Sequence, residues 1–321
     1  MDTRTLEFGK LPYLYGQPQE TAVFRSCPED FLVDEIMDIE PSGEGEHLWL
    51  LISKKDQNTS WVAGILAKLA GIKRNDVGYC GMKDRFAITT QWFSLHVPGR
   101  DLDLDTLIHS DFTILRTARH NKKLRRGMHQ GNRFKIVLRE LEVEEKSFDD
   151  RMKLISRHGV PNYFGEQRFG HQGNNLHEVQ KLIMADKLKG NRHGTGLYLS
   201  AARSWLFNLV LARHIDNADG SLDRLQDYTG PLWGRGRSSA DRNAASVEEQ
   251  VLKDWQDWCY ALEHAGLKQE RRNLILRSDS VLYDWIEPNQ LSLEFSLLRG
   301  CFATALLREI AQLSRPSYVP V

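Results

Sequence analysis

The segment of residues 75–92 constrains the fold more than any other part of the sequence, because a glycine-bounded turn in it leads directly into a strand. Gly78 and Gly81 allow the backbone to approach a ligand closely, since neither carries a Cβ atom. Residues 92–97 alternate between a more polar and an apolar series, which predicts a half-buried strand. Asp84 lies between the glycines and this strand, where a carboxylate can meet a substrate. The alternative is a solvated turn residue between two cations.

Hydrophobic periodicity predicts an α+β protein whose two ends form one body. Period-two patterns predict strands within residues 22–53, 134–139 and 291–297. Helical periodicity predicts helices at residues 59–71, 147–158 and 304–313. From residue 159 to about residue 270 the chain is richer in helical patterns, with helix starts expected at Ser200 and Ser246. We therefore expect a mostly helical insertion into the body.

Composition limits the class of protein and its location. The chain has 321 residues, enough for two domains, and its 41% hydrophobic and 27% charged residues are typical of a globular protein. No apolar run reaches about 18 residues, and the first residues lack the pattern of a signal peptide. We therefore expect a cytoplasmic protein with no membrane partner.

The cysteines and histidines do not predict a metal site. The four cysteines are widely separated and form no Cys-x-x-Cys pair, which argues against a zinc site or a disulfide framework. The eleven histidines lack the helical spacing of metal ligands. Neither a Gly-x-Gly-x-x-Gly motif nor a phosphate-cradling loop follows a strand. We expect no metal, no nucleotide and no other cofactor.

Positive charge is concentrated in one strip of a chain whose net charge is zero. Six cations fall within eleven residues: Arg116, Arg119, Lys122, Lys123, Arg125 and Arg126. Since affinity for nucleic acid comes from cations placed along phosphates, this basic strip predicts contacts to RNA phosphates. A solvated charge run is the alternative.

The segment after the basic strip adds groups that can recognise a base. On a strand, Asn132 and Phe134 share a face, and an amide beside an aromatic ring is how unstacked RNA bases are bound. Phe134 could equally be a core residue, and core packing is also the default for Phe31 and Phe302. Arg25, on an early strand, is a candidate partner for Asp84, or else forms a surface ion pair with another acid.

Residues 81–91 carry a recognisable motif. Their sequence, Gly-Met-Lys-Asp-Arg-Phe-Ala-Ile-Thr-Thr-Gln, resembles the signature Gly-x-Lys-Asp-x-x-Ala-x-Thr-x-Gln of the TruD family of tRNA pseudouridine synthases. Further segments resemble family segments in the expected order: residues 28–31, 131–134, 160–170, 199–208 and 300–304 with Arg308 and Glu309. Together these segments span nearly the whole chain.

The resemblance implies a fold and a domain division. The fold is the pseudouridine synthase catalytic fold, α+β with a central, largely antiparallel sheet, interrupted by a mostly helical insertion domain peculiar to TruD. Residues 1–158 together with 277–321 would form the catalytic domain, and residues 159–276 the insertion. We expect the two to grip tRNA from both sides of a cleft.

The resemblance also implies a reaction and its residues. The enzyme would isomerise a uridine of tRNA, at position 13 in the D-arm, into pseudouridine, acting as a monomer on an everted nucleotide. Asp84 would be the nucleophile. The substrate-binding residues would be Phe31, Asn132, Phe134, Phe302 and Arg25. Arg25 falls where family members often carry a lysine that pairs with the catalytic aspartate.

Alternatives remain at this point. Asp84 could attack the sugar at C1′, or it could remove the 2′ proton on the way to a glycal. The protein could instead bind RNA without catalysis. It could also be a metal-dependent nuclease or glycosidase that uses the early acids Glu29, Asp30, Asp34 and Glu35.

Overall fold

The computed structural model describes residues 6–188, 195–218, 225 and 227–314. Within these ranges, packing divides the chain into two compact units. The sheet unit consists of residues 20–144, 278–300 and 312–321, and the helical unit of residues 1–19, 145–277 and 301–311. No helix in the described ranges has both the length and the apolar character needed to cross a membrane.

Along the described ranges, runs of strands are separated by single helices or by groups of helices, as is typical of an α+β protein. In the described ranges the strands are β1 (Thr21–Phe24), β2 (Phe31–Ile36), β3 (His47–Lys55), β4 (Val77–Tyr79), β5 (Ile88–His96), β6 (Phe112–His120), β7 (Gly131–Arg139), β8 (Val160–Pro161), β9 (Thr229–Leu232), β10 (Glu270–Asn273), β11 (Ile275–Leu276), β12 (Val281–Glu287), β13 (Gln290–Leu298) and β14 (Gln312–Ser314). The helices are α1 (Thr59–Leu69), α2 (Glu145–His158), α3 (Asn174–Met184), α4 (Thr195–Asp216), α5 (Arg242–Leu252), α6 (Gln256–His264) and α7 (Ala303–Ile310).

The sheet unit is built on one ten-stranded sheet. Its main order is β12-β13-β7-β2-β5-β3-β6, with β1 added to β7 and to β14, and β4 added to β5. The pairs β2–β5 and β1–β14 are parallel, and the other pairs are antiparallel. This topology confirms the predicted α+β class with a central, largely antiparallel sheet.

Strand β5 is buried on both faces, so the prediction of a half-buried strand at residues 92–97 is wrong. On one face Phe93 and Leu95 pack in a core with Leu66 of α1. On the other face Trp92 packs with Trp49 and its neighbours. The sequence pattern underestimated burial because tryptophan and serine were counted as the exposed series, whereas both lie in the interior.

The helical unit packs around α4, which contacts α3, α5 and α6. Its core includes the buried side chains of Trp205, Phe207 and Trp258. Two predicted helix starts are wrong, because Ser200 lies inside α4 and Ser246 inside α5. Helix α5 begins four residues before Ser246, since the Asp241 side chain caps it by accepting from the backbone N–H of Ala244 at 2.8 Å.

The compact units do not coincide with the domains expected from the resemblance. Residues 145–158 and 301–311 belong to the helical unit, because α2 and α7 pack against each other and α7 also packs against β8. Compactness alone does not say which segment is inserted, so the division into residues 1–158 with 277–321 and residues 159–276 remains a prediction.

Gly78 provides a test of how the basic strip is held on the sheet. A Cβ atom at this position would lie 2.3 Å from the carbonyl oxygen of Leu124 and 2.6 Å from Ser94 Oγ. The missing side chain of Gly78 therefore makes room for the backbone of Leu124 and not for a ligand. The expectation that Gly78 brings the backbone close to a ligand is wrong. Gly78→Ala should lower the free energy of unfolding by about 1–3 kcal/mol through overpacking.

Gly64→Ala is the matched control, to be measured by urea denaturation beside Gly78→Ala. Gly64 lies inside α1, and a Cβ atom there would meet only Arg74 Nε at 3.9 Å. Alanine should therefore raise stability by about 0.5–1 kcal/mol. Equal effects of the two substitutions would contradict the packing described for Gly78.

Candidate active site

Asp84 lies in the loop between β4 and β5, with its side chain 39% exposed. Its Oδ1 lies 3.2 Å from Nη2 of Arg25, whose side chain is only 9% exposed. The pairing expected between these two residues is therefore present. A charge-assisted contact of this kind orients a carboxylate.

Arg25 is itself held by aromatic rings. Its guanidinium carbon lies 3.8 Å from the ring centre of Phe31 and 5.0 Å from that of Phe24. The residue has a φ of 61°, in the left-handed region that non-glycine residues rarely adopt. This backbone conformation ends β1 and places the cation over the rings, where the faces attract it.

Hydrogen bonds from three motif residues fix the loop that carries Asp84. Gln91 Nε2 on β5 donates to the carbonyl oxygen of Gly81 at 3.0 Å. The backbone N–H of Lys83 donates to Thr59 Oγ1 at 2.9 Å, and that hydroxyl donates to Gln91 Oε1 at 2.8 Å. The spacing of glycine, lysine and glutamine in the motif is thus explained by a closed set of buried bonds.

The side chain of Lys83 points into the interior, away from Arg25. Its Nζ lies 3.0 Å from Glu35 Oε2, and both side chains are almost completely buried. Glu35 Oε1 accepts from the backbone N–H of Trp92 at 3.1 Å. Neighbouring side chains on an extended segment point to opposite sides, so Lys83 anchors the loop to β2 while Asp84 meets Arg25.

Lys54 is a residue of the site that the sequence reasoning missed. It ends the buried face of β3, and its Nζ donates to the carbonyl oxygen of Asp84 at 3.1 Å and to that of Gln57 at 2.6 Å. Burial lowers the pKa of Lys54 to about 8, although the nearby charge of Asp84 acts in the opposite direction. A lysine that continues the apolar series of Leu50 and Ile52 was the available signal.

Phe31, Asn132 and Phe134 meet on one face of the sheet. Val33 of β2 pairs with Phe134 of β7, and Glu35 pairs with Asn132. The rings of Phe31 and Phe134 are buried, with centres 6.0 Å apart. Asn132 Oδ1 is also buried, and among the residues that the structure describes no donor reaches it.

Phe302 belongs to the helical unit and precedes α7 as its N-cap residue. Its ring is partly buried, with its centre 5.8 Å from that of Phe164. The other predicted substrate-binding residues belong to the sheet unit. The membership of Phe302 in the uridine pocket therefore remains a prediction from the resemblance.

The basic strip is anchored in the sheet unit and is not a loose charge run. Trp49 Nε1 donates to the carbonyl oxygen of Lys122 at 2.9 Å, and the backbone N–H of the buried Leu124 donates to Ser94 Oγ at 3.0 Å. Three cations of the strip and two earlier residues line a cavity of about 590 Å³: Lys123, Arg125 and Arg126 with Arg74 and Tyr79. Arg74 was not predicted, because it is distant in sequence from the strip.

The six cations of the basic strip differ in their partners and in their exposure. Arg119 pairs with Asp101 at 2.7 Å, and Lys123 Nζ donates to the carbonyl oxygen of Asn75. Arg116 is exposed, with its guanidinium carbon 5.9 Å from the ring centre of Trp92. The remaining cations are exposed: Lys122, Arg125 and Arg126.

Three of the four early acids considered for a metal site form ion pairs with cations, and the fourth, Asp34, is exposed on β2. Glu29 pairs with Lys55, and Asp30 is held by Arg139 at 2.7 Å, while Glu35 pairs with Lys83 as described above. In the described part of the chain, no three His, Cys, Asp or Glu residues come together as a metal site would require. The arrangement of these acids therefore gives the metal-dependent alternative no support.

Comparison with known proteins gives consistent matches. A family model described as tRNA pseudouridine synthase D (TruD) matches residues 7–193. The chain is 45% identical over 312 residues to tRNA pseudouridine synthase D of Cellvibrio japonicus, covering 94% of this chain and 93% of that protein. It is 40% identical over 334 residues to tRNA pseudouridine synthase D of Aeromonas hydrophila, covering 94% of each.

A solved structure shows the same fold. It is described as tRNA pseudouridine synthase D (TruD) from Methanosarcina mazei, and it matches with a TM-score of 0.70 at 21% identity, covering 97% of this chain and 98% of that one. At this identity the match speaks for the fold, and it agrees with the predicted pseudouridine synthase architecture. The family model and the full-length relatives show that the chain belongs to the TruD family of tRNA pseudouridine synthases, which are isomerases.

Proposed function

We propose that this protein converts a uridine of tRNA, at position 13 in the D-arm, into pseudouridine, with Asp84 as the nucleophile. The observation that carries the proposal is the Arg25–Asp84 ion pair on a loop whose backbone is fixed by buried hydrogen bonds. Asp84 is partly exposed while Arg25 is not, so the carboxylate can reach a substrate without losing its counter-ion.

The reaction breaks one bond to the sugar and makes another. Asp84 attacks C1′ of the everted nucleotide, and uracil leaves with the electron pair of the N1–C1′ bond, as in the covalent step of retaining glycosidases. Uracil turns in the pocket and rejoins C1′ through C5, which expels the carboxylate. C5 then loses its proton and N1 gains one, so the product is an isomer of the substrate. The ion pair engages Oδ1, so we assign the attack to Oδ2.

The buried oxygen of Asn132 supports a pocket for uracil. An unpaired buried acceptor costs free energy, which a ligand donor can recover. Uracil offers such a donor at N3–H. Phe31 and Phe134 lie on the same face of the sheet and exclude water, which keeps the detached base from being lost. We assign Phe302 to the same pocket by resemblance.

For the rest of the tRNA we propose contacts between phosphates and the exposed cations of the basic strip, above all Lys122, Arg125 and Arg126. Arg116 joins them from β6. Arg119 contributes less, because Asp101 already neutralises it. Action as a monomer in the cytoplasm, without a nucleotide cofactor, is part of the same proposal.

Asp84→Asn tests the nucleophile. Amide and carboxylate have nearly the same shape, so tRNA binding should change by less than about threefold. Pseudouridine formation should fall at least about a thousandfold, because the nucleophile of a covalent mechanism is lost. The measurement is mass-spectrometric mapping of pseudouridine in undermodified tRNA, with binding measured in parallel.

Asp34→Asn is the matched control, since Asp34 is an exposed acid of the same sheet and belongs to the metal-dependent alternative. It should leave activity unchanged. Loss of activity in chelator, or strand cleavage, would support that alternative. Binding of tRNA by the wild-type protein without pseudouridine would support the non-catalytic alternative, and full activity of Asp84→Asn would end the proposed mechanism.

Lys54 should give the activity an alkaline limit. Its ammonium group donates to the backbone of the loop that carries Asp84, and burial lowers the pKa of Lys54 to about 8, so kcat should fall as pH rises through about 8. The free energy of unfolding should change in the opposite direction to kcat. The unfolded chain binds the lysine proton up to its ordinary pKa, about 10.4, so the free energy of unfolding should rise with pH between these values.

Two substitutions check this assignment through kcat–pH profiles. Lys54→Arg stays charged throughout this range, so its alkaline limb should move upward or vanish. Lys54→Met is neutral at every pH, and its kcat at pH 7 should match the alkaline plateau of the wild type. An identical limb near pH 8 in all three proteins would exclude Lys54 as its origin.

Asn132→Ala tests recognition of uracil. Removing the acceptor should lower kcat/KM about 10- to 100-fold, through one lost hydrogen bond in a dry site. The melting temperature should not fall, because the substitution removes a buried oxygen that lacks a donor among the described residues. Asn121→Ala, at an exposed position of the same unit, is the control. Lower stability with unchanged kcat/KM would make Asn132 a structural residue.

A further inference from the structure

Two arginines of the helical unit bring positive charge to the ring of Phe302. The guanidinium carbons of Arg168 and Arg272 lie 5.7 and 5.9 Å from the centre of this ring. They lie 5.8 and 4.2 Å from the ring centre of Phe164. Arg168 belongs to the segment of residues 160–170, which resembles the family but has no part in the function proposed above.

Within the described part of the chain, no acid balances the positive charge of Arg168. Its guanidinium donates to Ser200 Oγ at 3.2 Å, and among the described residues no carboxylate forms an ion pair with it. Burial lowers the pKa of Arg168. Burial also lowers the pKa of Arg272 to about 10, and the charge of Arg168 acts in the same direction. The nearby Cys301 supplies no negative charge at neutral pH, because burial raises the pKa of its thiol.

Two other partly buried arginines of the helical unit form ion pairs with acids. Arg271, next to Arg272 on β10, has its Nη1 2.6 Å from Glu248 Oε1. Arg203 lies 3.0 Å from Glu270. For Arg271 and Arg203 the fold itself thus supplies an acid. The absence of one beside Arg168, within the part of the chain that the structure describes, indicates that its anion comes from outside.

We infer that Arg168 binds a phosphodiester group of the RNA strand next to the target uridine. The inference rests on the proposed function, because Phe302 is the ring assigned to that uridine. A nucleotide presents a base and an anion within one residue, which suits a ring and a guanidinium close to it. The planar fork of arginine also matches two phosphate oxygens at once.

Substitution of Arg168 should weaken binding and change its dependence on salt. Arg168→Gln should raise the Kd for undermodified tRNA about tenfold at about 0.1 M salt. The slope of log Kd against log salt should fall by about 0.7–0.9, as expected for one lost phosphate contact. Arg168→Lys keeps the charge, so it should retain the slope while losing part of the affinity.

Two controls separate an RNA contact from a packing role. Lys181→Gln removes a charge from the same unit, at an exposed residue paired with Glu178, and should leave Kd and slope unchanged. Arg203→Gln removes an arginine that the fold itself neutralises, and should lower the melting temperature without changing the slope. If Arg168→Gln lowers only the melting temperature, the arginines serve packing against the phenylalanine rings and the inference is wrong.

A second measurement changes the RNA and leaves the protein intact, so it does not depend on the folding of any variant. In a D-arm oligonucleotide, an uncharged methylphosphonate replaces the phosphate on either side of the target uridine. At one of the two positions it should raise the Kd of the wild-type protein about tenfold, and it should add little in Arg168→Gln. No effect at either position would overturn the inference.

The outcome is separable from that of the proposed function. If the wild-type protein forms no pseudouridine at the target uridine, the proposed function fails, whatever Arg168 does. If the wild type forms pseudouridine and Arg168→Gln keeps its affinity and salt slope, only the phosphate site fails. Saturating concentrations of Arg168→Gln should still form pseudouridine, because Asp84 is unchanged.

Discussion

The structure around the candidate site depends on holding one partly exposed carboxylate in a fixed position. A side chain on a loop has many rotamers and a mobile backbone, and both must be restricted before it can act on a substrate. The restriction comes from two directions. Arg25, directly after β1, holds the carboxylate of Asp84, while the backbone of the loop is fixed by Thr59, Gln91 and Lys54.

The topology of the sheet explains how these groups reach one place. Strands β2 and β5 are parallel neighbours, so the loop that enters β5 comes beside the start of β2, where Phe31 lies. Strand β7 pairs with the other side of β2 and adds Asn132 to the same face. The buried pair of Lys83 and Glu35 joins the loop to β2. Breaking this pair would leave an uncompensated buried charge, so the loop and the sheet are coupled.

In this protein of zero net charge, buried acids are paired with cations, whereas some cations have no paired acid among the described residues. Buried acids such as Asp30, Glu35 and Glu248 are each neutralised by a cation. Among the residues that the structure describes, the cations without a paired acid include exposed members of the basic strip in the sheet unit and Arg168 in the helical unit. A chain of zero net charge can therefore offer local positive surfaces to a polyanion.

Much of the fold was predictable from the sequence, because its signals are local. The stripe of α1, the alternation in β7 and the buried side of α2 are set by hydrophobic period, and the structure confirms them. Helix starts were predicted less well. Ser246 has the spacing of a capping residue, yet Asp241 takes that role. A cap is decided by which side chain reaches the free N–H groups, and several polar residues of a loop can compete for them.

By itself the sequence determined the class of fold and the family, and it singled out Asp84 as the acid of the proposed mechanism, because each of these depends on residues close together along the chain. Only the tertiary structure decided what surrounds that acid. Lys54, Thr59 and Arg25 lie on elements far from Asp84 in sequence, and strand pairing and helix packing bring them within hydrogen-bonding or ion-pair distance. Contacts between distant segments depend on the register and burial of whole strands, and a linear pattern does not contain that information.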